Sequence, residues 1–155
     1  MKKLILSLSA AAVLTACATQ KLATSGNQAT GDTRTTAVEY LNDRTYKLTR
    51  QSDDNSYGYE QKNAIKVGGA RDQSGPMNER RYLNALLGPN GEEVGYYREG
   101  SCCTFKTPNG LMGDAGLLDL YRVYWDGGTD TLSLYLNMYD EGDLLIPVGF
   151  TAREQ

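Results

Sequence analysis

Apolar and polar residues alternate most strictly in "TLSLYLNMY", Thr131 to Tyr139: Leu132, Leu134, Leu136 and Met138 fall on one side, and Thr131, Ser133, Tyr135, Asn137 and Tyr139 on the other. A period of two is that of a half-buried antiparallel strand. The preceding run "LLDLYRVYW" is joined to it by "DGGTD", Asp126 to Asp130, and a Gly-rich connection between two such runs predicts a hairpin. Upstream, the turns "GPNG" (Gly88 to Gly91) and "TPNG" (Thr107 to Gly110) bound two further extended pieces, "EVGYYREG" and "SCCTF". The period changes once. Gly75 and Pro76 open a helix predicted over Met77 to Leu87, with Pro76 in its first turn, Gly88 just past its end, an apolar face of Leu83, Leu86 and Leu87, and Arg80 and Arg81 toward solvent. Earlier still, "RTYKLTR" (Arg44 to Arg50) predicts a short strand. After the polar turn "QSDDNS" comes an extended piece at Ala64 to Val67, closed by Gly68 and Gly69. Near the end, Pro147 in "LLIPVGF" has no ladder donor and marks a sheet edge or a strand end. One helix among antiparallel runs predicts a single small α+β domain, a mostly antiparallel twisted sheet with the helix on its apolar face.

Before residue 37 this patterning stops. Residues 18–36, "ATQKLATSGNQATGDTRTT", are small and polar and read as a flexible linker reaching about 60 Å when fully extended. The globular domain is then expected over residues 37–155. Residues 1–16 carry Lys2 and Lys3, the apolar run "LILSLSAAAVL" and a small-residue end, the grammar of an export signal whose apolar run is too short to span a bilayer. Leu14-Thr15-Ala16-Cys17 resembles the lipobox of bacterial lipoproteins, which implies cleavage before Cys17 and acylation of that residue; an ordinary secretory signal cut nearby is the alternative. By the same resemblance Ala18, standing where an aspartate would retain the protein at the inner membrane, implies the outer membrane, and the lack of an acidic run beside Cys17 favours its periplasmic face.

The formal charge of the full chain is −3, and loss of Lys2 and Lys3 makes it more negative. Nucleic acid is not an expected partner, because phosphate binding needs clustered Lys and Arg to release counterions.

The strings "YGYEQKNAIKVGG", "GPMNERRYLNALLGPNGEEVGYYREGSCCTFKTPNG", "LLDLYRVYW" and "LNMYDEGDLLIPVGF" resemble a family of small bacterial lipoproteins of unassigned biochemistry, over nearly all of Tyr57 to Ala152. Ala64 stands where that family often has proline, and Asp114 lies near a family glycine. The resemblance implies no functional residue. Members are often labelled 2-dehydro-3-deoxyphosphooctonate aldolase, an activity whose true enzyme is a barrel of alternating strands and helices needing about 250 residues. One helix among antiparallel hairpins does not supply such a barrel, and no Gly-rich loop enters a helix to cradle phosphate.

The chain has no histidine and three cysteines, of which Cys102 and Cys103 are neighbours. Four readings stand for them. At least one of them is a small buried hydrophobe, or they are a vicinal disulfide in a turn or bulge, thiolate metal ligands completed by Met77, Met112 or a carboxylate, or a catalytic thiol activated by Arg or Lys. Adjacent Cα atoms sit about 3.8 Å apart, below the roughly 4.4 to 6.8 Å usual for a disulfide, and a strand sends neighbouring side chains to opposite faces. Eleven tyrosines against two phenylalanines and one tryptophan are the other signal. Tyr96, Tyr97, Tyr121, Tyr124, Tyr135 and Tyr139 lie on alternating strands and offer a surface for a protein or glycan partner, or else simply cover a sheet face. Asp140 and Glu141 read as solvated turn acids, and "NERRY" as a solvated helix face. No catalytic set, metal site or cofactor motif emerges. The expectation is a lipid-anchored envelope module that binds a partner without chemistry of its own, with a redox or thiol protein centred on Cys102 and Cys103 as the alternative.

Overall fold

The computed structural model describes residues 31–154. The expected signal peptide, Cys17 and the expected linker as far as residue 30 lie outside the described residues. A small hairpin comes first, β1 (Glu39–Asn42) with β2 (Thr45–Lys47). β2 falls in the expected strand, whereas β1 is mostly exposed and so carries no apolar alternation to announce it. After a short 3-10 turn at Gln61–Asn63 come β3 (Ile65–Lys66), α1 (Gly75–Ala85), β4 (Leu86–Leu87), β5 (Val94–Lys106), β6 (Ala115–Trp125), β7 (Leu132–Asn137) and β8 (Thr151–Ala152). The main sheet has the order β3-β7-β6-β5, antiparallel except that β3 runs parallel to β7, and β4 pairs with β8 in a separate two-stranded sheet.

The helix is shorter at its end than the Leu-rich pattern predicts. Leu86 leaves it with φ −79° and ψ 148°, and Leu86–Leu87 turns into β4 against Ala152 and Thr151. Leu86 is fully buried either way, so its hydrophobicity could not distinguish a helix end from a core strand. The inward stripe of α1 is Glu79, Tyr82 and Leu83, continued by Leu86 just past its end. That is the i, i+3, i+4, i+7 spacing of a core-facing helix, with a carboxylate at its first position.

Residues directly opposite in a ladder share a face, so the register sorts the sheet. On the inner face Asp119, Tyr121 and Val123 of β6 stand between Ser101, Arg98 and Tyr96 of β5 and Leu136, Leu134 and Leu132 of β7. On the outer face stand Leu118, Leu120, Arg122 and Tyr124, flanked by Cys102, Gly100, Tyr97 and Gly95 on one side and by Tyr135 and Ser133 on the other. The main hydrophobic core draws its sheet residues from the inner face alone and joins them to Tyr82, Leu83 and Leu86 and to Tyr46 and Leu48 of the β2 segment.

β5 has 13 residues paired against the 11 of β6, and the two extra ones, Glu99 and Cys103, sit in bulges where the register shifts. A regular strand would send Arg98 and Ser101 to opposite faces; the bulge at Glu99 brings both to the inner one. Residues 31–36, which by composition belong to the linker, are fastened to the domain instead. Thr33 N–H donates to Glu141 O at 2.6 Å, Arg34 Nε to Gly142 O at 2.9 Å, and the Thr35 and Thr36 amides to Asp143 Oδ1 at 2.8 and 2.9 Å. Small polar residues held by hydrogen bonds leave no hydrophobic period to read.

Candidate functional site

The inner face carries a charged cluster under α1. Arg98 donates through Nε to Asp119 Oδ2 at 2.8 Å and through Nη2 to Asp119 Oδ1 at 2.7 Å, a two-pronged pair, and the Ser101 hydroxyl donates to Asp119 Oδ1 at 2.8 Å. Asp119 is 3 % exposed. Next to it, Glu79 reaches down from the helix at 0 % exposure, with Oε2 accepting from the Tyr121 hydroxyl at 2.9 Å and Oε1 without a protein partner. Burial first, and then the negative charge of Asp119, push the Glu79 carboxyl up to about 8, so Glu79 carries its proton at neutral pH. A hydrogen bond from the protonated Glu79 to Asp119 favours the neutral acid as well. Burial, followed by the charge on Glu79, also raises the Tyr121 phenol. Arg98 and Ser101 are exposed and form the solvent edge of the cluster, whereas the Glu79 carboxyl at 0 % exposure meets no solvent and serves to hold the helix on the sheet. Reading the sequence by its leucines missed Glu79, although its spacing from Tyr82, Leu83 and Leu86 was the available signal.

The six tyrosines do not form one surface. Tyr121 is 3 % exposed in the core, and Tyr96 packs against that core, edge-on to Tyr121 at 6.1 Å, with its hydroxyl donating to Asn84 Oδ1 at 2.7 Å. The other four belong to the outer side. Tyr97 and Tyr124 are 55 % and 48 % exposed, while Tyr135 and Tyr139 are half-buried. Two of these rings lie over cross-strand glycines. A Cβ on Gly95 would come within 2.5 Å of Tyr124 Cζ, and one on Gly116 within 2.8 Å of Phe105 and 2.9 Å of Tyr139, which meet edge to face at 5.9 Å. Strand alternation alone could not say which of the two sets is buried, because that depends on which face of the sheet the helix takes.

Cys102 and Cys103 are bonded to each other, with Cα atoms 3.7 Å apart. Both are half-buried and neither joins the hydrophobic core, so they are not the small buried hydrophobes of one sequence reading. Cys102 faces outward opposite Leu118; Cys103 has no partner across the ladder and takes φ +56°, the left-handed region that a non-glycine residue occupies at a cost of about 1–3 kcal/mol. Bonded sulfurs are not metal ligands, and among the described residues no three His, Cys, Asp or Glu side chains are grouped to hold a metal.

The turn acids also part company. Glu141 meets Arg34 at 3.0 Å on the surface, but Asp140 is 1 % exposed and accepts from the Thr107 hydroxyl and from Asn109 and Asn137 Nδ2, both at 3.0 Å. Asp140 thereby ties the β5–β6 turn to the end of β7. In "NERRY", Arg80 is exposed, while Arg81 donates to Asp43 O at 2.8 Å and lies 5.4 Å over the Tyr40 ring. No helix among the described residues is long and apolar enough to cross a membrane.

No family model matches the chain, and neither the curated proteins nor the solved structures yield a match. The resemblance of Tyr57 to Ala152 to a lipoprotein family therefore rests on the quoted strings.

Proposed function

We propose that this chain is a lipid-anchored envelope module of the resembled lipoprotein type, held through Cys17 at the periplasmic face of the outer membrane, that acts as a non-enzymatic binding module docking a protein or glycan partner on the outer face of its sheet. The observation that carries the reading is the outward pair Tyr97 and Tyr124, each about half exposed on adjacent strands with Arg122 directly opposite Tyr97. Amphipathic rings that keep a hydroxyl in water are suited to stacking on sugars or to the core of a protein contact. The aldolase label fits neither a sealed acid nor a sheet of this topology.

The test has two arms. Palmitate labelling with mass measurement of the N-terminal peptide should find the lipid on Cys17, and Cys17→Ser should leave the membrane fraction or keep its signal uncleaved. Crosslinked cells should then yield a co-purifying protein, or purified chain should sediment with isolated envelope glycan, and Tyr97→Ala with Tyr124→Ala should abolish that capture. Capture unaffected by the double substitution would place the partner elsewhere on the molecule.

A further inference from the structure

We propose that Cys102 and Cys103 form a redox-active centre: a vicinal disulfide that an external dithiol reduces, and whose opening resets the last part of β5. Three observations converge on it. The bond spans adjacent residues, so it closes almost no chain and adds little to the stability of the fold. It holds Cys103 in the left-handed region, in a bulge, where an L-residue in a strand is otherwise extended. And it lies half-buried on β5, an edge strand of the sheet, rather than inside the core. A structural disulfide staples distant segments. This one staples a kink.

The exchange balances with a dithiol as co-reactant. One thiolate of the reductant attacks a sulfur of the pair, forming a mixed disulfide and expelling the other cysteine as a thiolate. The second thiolate of the reductant then attacks the reductant's own sulfur in that mixed disulfide, closing the reductant's disulfide and releasing the second cysteine. Two electrons pass from the dithiol to the protein, and the two protons the dithiol loses are taken up by the cysteines.

The surrounding bonds define how far the change travels. Upstream, Ser101 is held by Asp119 at 2.8 Å; downstream, Thr107 donates its hydroxyl to buried Asp140 and its N–H to Asp114 O at 2.9 Å. Between these two anchors lie Cys102 to Lys106, which pair with Ala115 to Leu118 of β6. With the bond open, nothing holds Cys103 left-handed. Once Cys103 turns extended, the side chains after it change faces, since a shift of one residue exchanges the two sides of a strand. Phe105 then leaves its place over Gly116 and against Tyr139. Reduction thus alters one end of the outer face while the helix and the Glu79 cluster stay as they are.

The experiment treats the oxidised full-length chain with excess dithiothreitol under native conditions, maps alkylation on the peptide that carries Cys102 and Cys103, and follows amide hydrogen exchange. Both cysteines should become alkylated in the folded protein. Exchange should rise by about tenfold or more over Cys102 to Lys106 and Ala115 to Leu118, with α1 and β7 unchanged. Cys103→Gly supplies a residue at home in the left-handed region, so it should exchange like the oxidised chain and ignore the reductant. The double change Cys102→Ser with Cys103→Ser should exchange like the reduced one. The proposal is overturned if the pair resists alkylation until the chain unfolds, if it is already free in chain purified from an oxidising compartment, if reduction leaves exchange unaltered or raises it across α1 as well, or if Cys103→Gly behaves as the reduced chain does.

Discussion

Tyr121 and Tyr124 stand on the same strand and face opposite ways. Tyr121 is sealed beneath α1 with its hydroxyl on Glu79, and Tyr124 lies over Gly95 with nearly half its surface in water. On the inner face the polar groups of the cluster engage one another, Arg98 and Ser101 on Asp119 and Tyr121 on Glu79, whose raised carboxyl keeps its proton at neutral pH. On the outer face Tyr124 rests on Gly95, and Tyr139 rests on Gly116 and edge-on to Phe105. The same residue type is thus structural on one side and presented on the other. The difference comes from strand alternation and from the single helix that covers one face.

The comparison breaks most readily from inside. Tyr121→Ala should cost about 3–5 kcal/mol by denaturant unfolding, because it empties a core site and strips Glu79 of its donor. A Tyr121→Ala chain as stable as the parent would mean that the helix does not rest on this face.

The next largest effect is on pH. Glu79 binds its proton up to about pH 8 in the folded chain, whereas an unfolded glutamate releases it near 4.5. Between those values the native state holds a proton that the unfolded state has lost, so this group makes stability fall as pH rises, with the loss complete above about pH 8. Over the part of that window from pH 5 to pH 8 the contribution is on the order of 4 kcal/mol. Asp143 acts in the other direction, since the Thr35 hydroxyl and the amides of Thr35 and Thr36 hold its carboxyl far below the usual range, and that support disappears only in strong acid. Glu79→Gln places an amide where the protonated acid sits. Unfolding measured from pH 5 to pH 9 should show the alkaline decline in the parent and not in this variant.

Smaller again, Tyr121→Phe should cost about 1–3 kcal/mol, the price of one buried acceptor left unpaired. Tyr124→Ala should change stability by about 1 kcal/mol or less while affecting partner capture, because half of its ring is already in water.

The strongly periodic parts of this fold could be read directly from the chain. The β6–β7 hairpin and the helix follow from spacing alone, because long apolar stripes with a period near two or four have few other uses. The parallel pairing of β3 with β7 could not be read so, since the two residues of β3 are too few to carry a period. Nor could the bulges at Glu99 and Cys103, which insert a residue without changing its chemistry, yet they decide which of Arg98, Ser101, Cys102 and Thr104 face the helix. Glu79 was hidden by its charge. A carboxylate in a buried stripe is read as solvent-facing unless a partner that lets it stay neutral is in view, and Asp119 and Tyr121 lie some forty residues away. The cysteine pair was visible as a pair, but its place in a left-handed bulge on an edge strand depends on the ladder beside it.

Leu117 and Tyr124 offer the most direct test of the central claim, that the outer face docks the partner. They lie on one strand at 43 % and 48 % exposure and on opposite faces of the sheet. A photo-crosslinking side chain at each position in turn, in the full chain expressed in its own envelope, compares the two faces at equal exposure. A discrete adduct from position 124 and none from position 117 is the result expected; equal adducts from both, or an adduct from 117 alone, would contradict it.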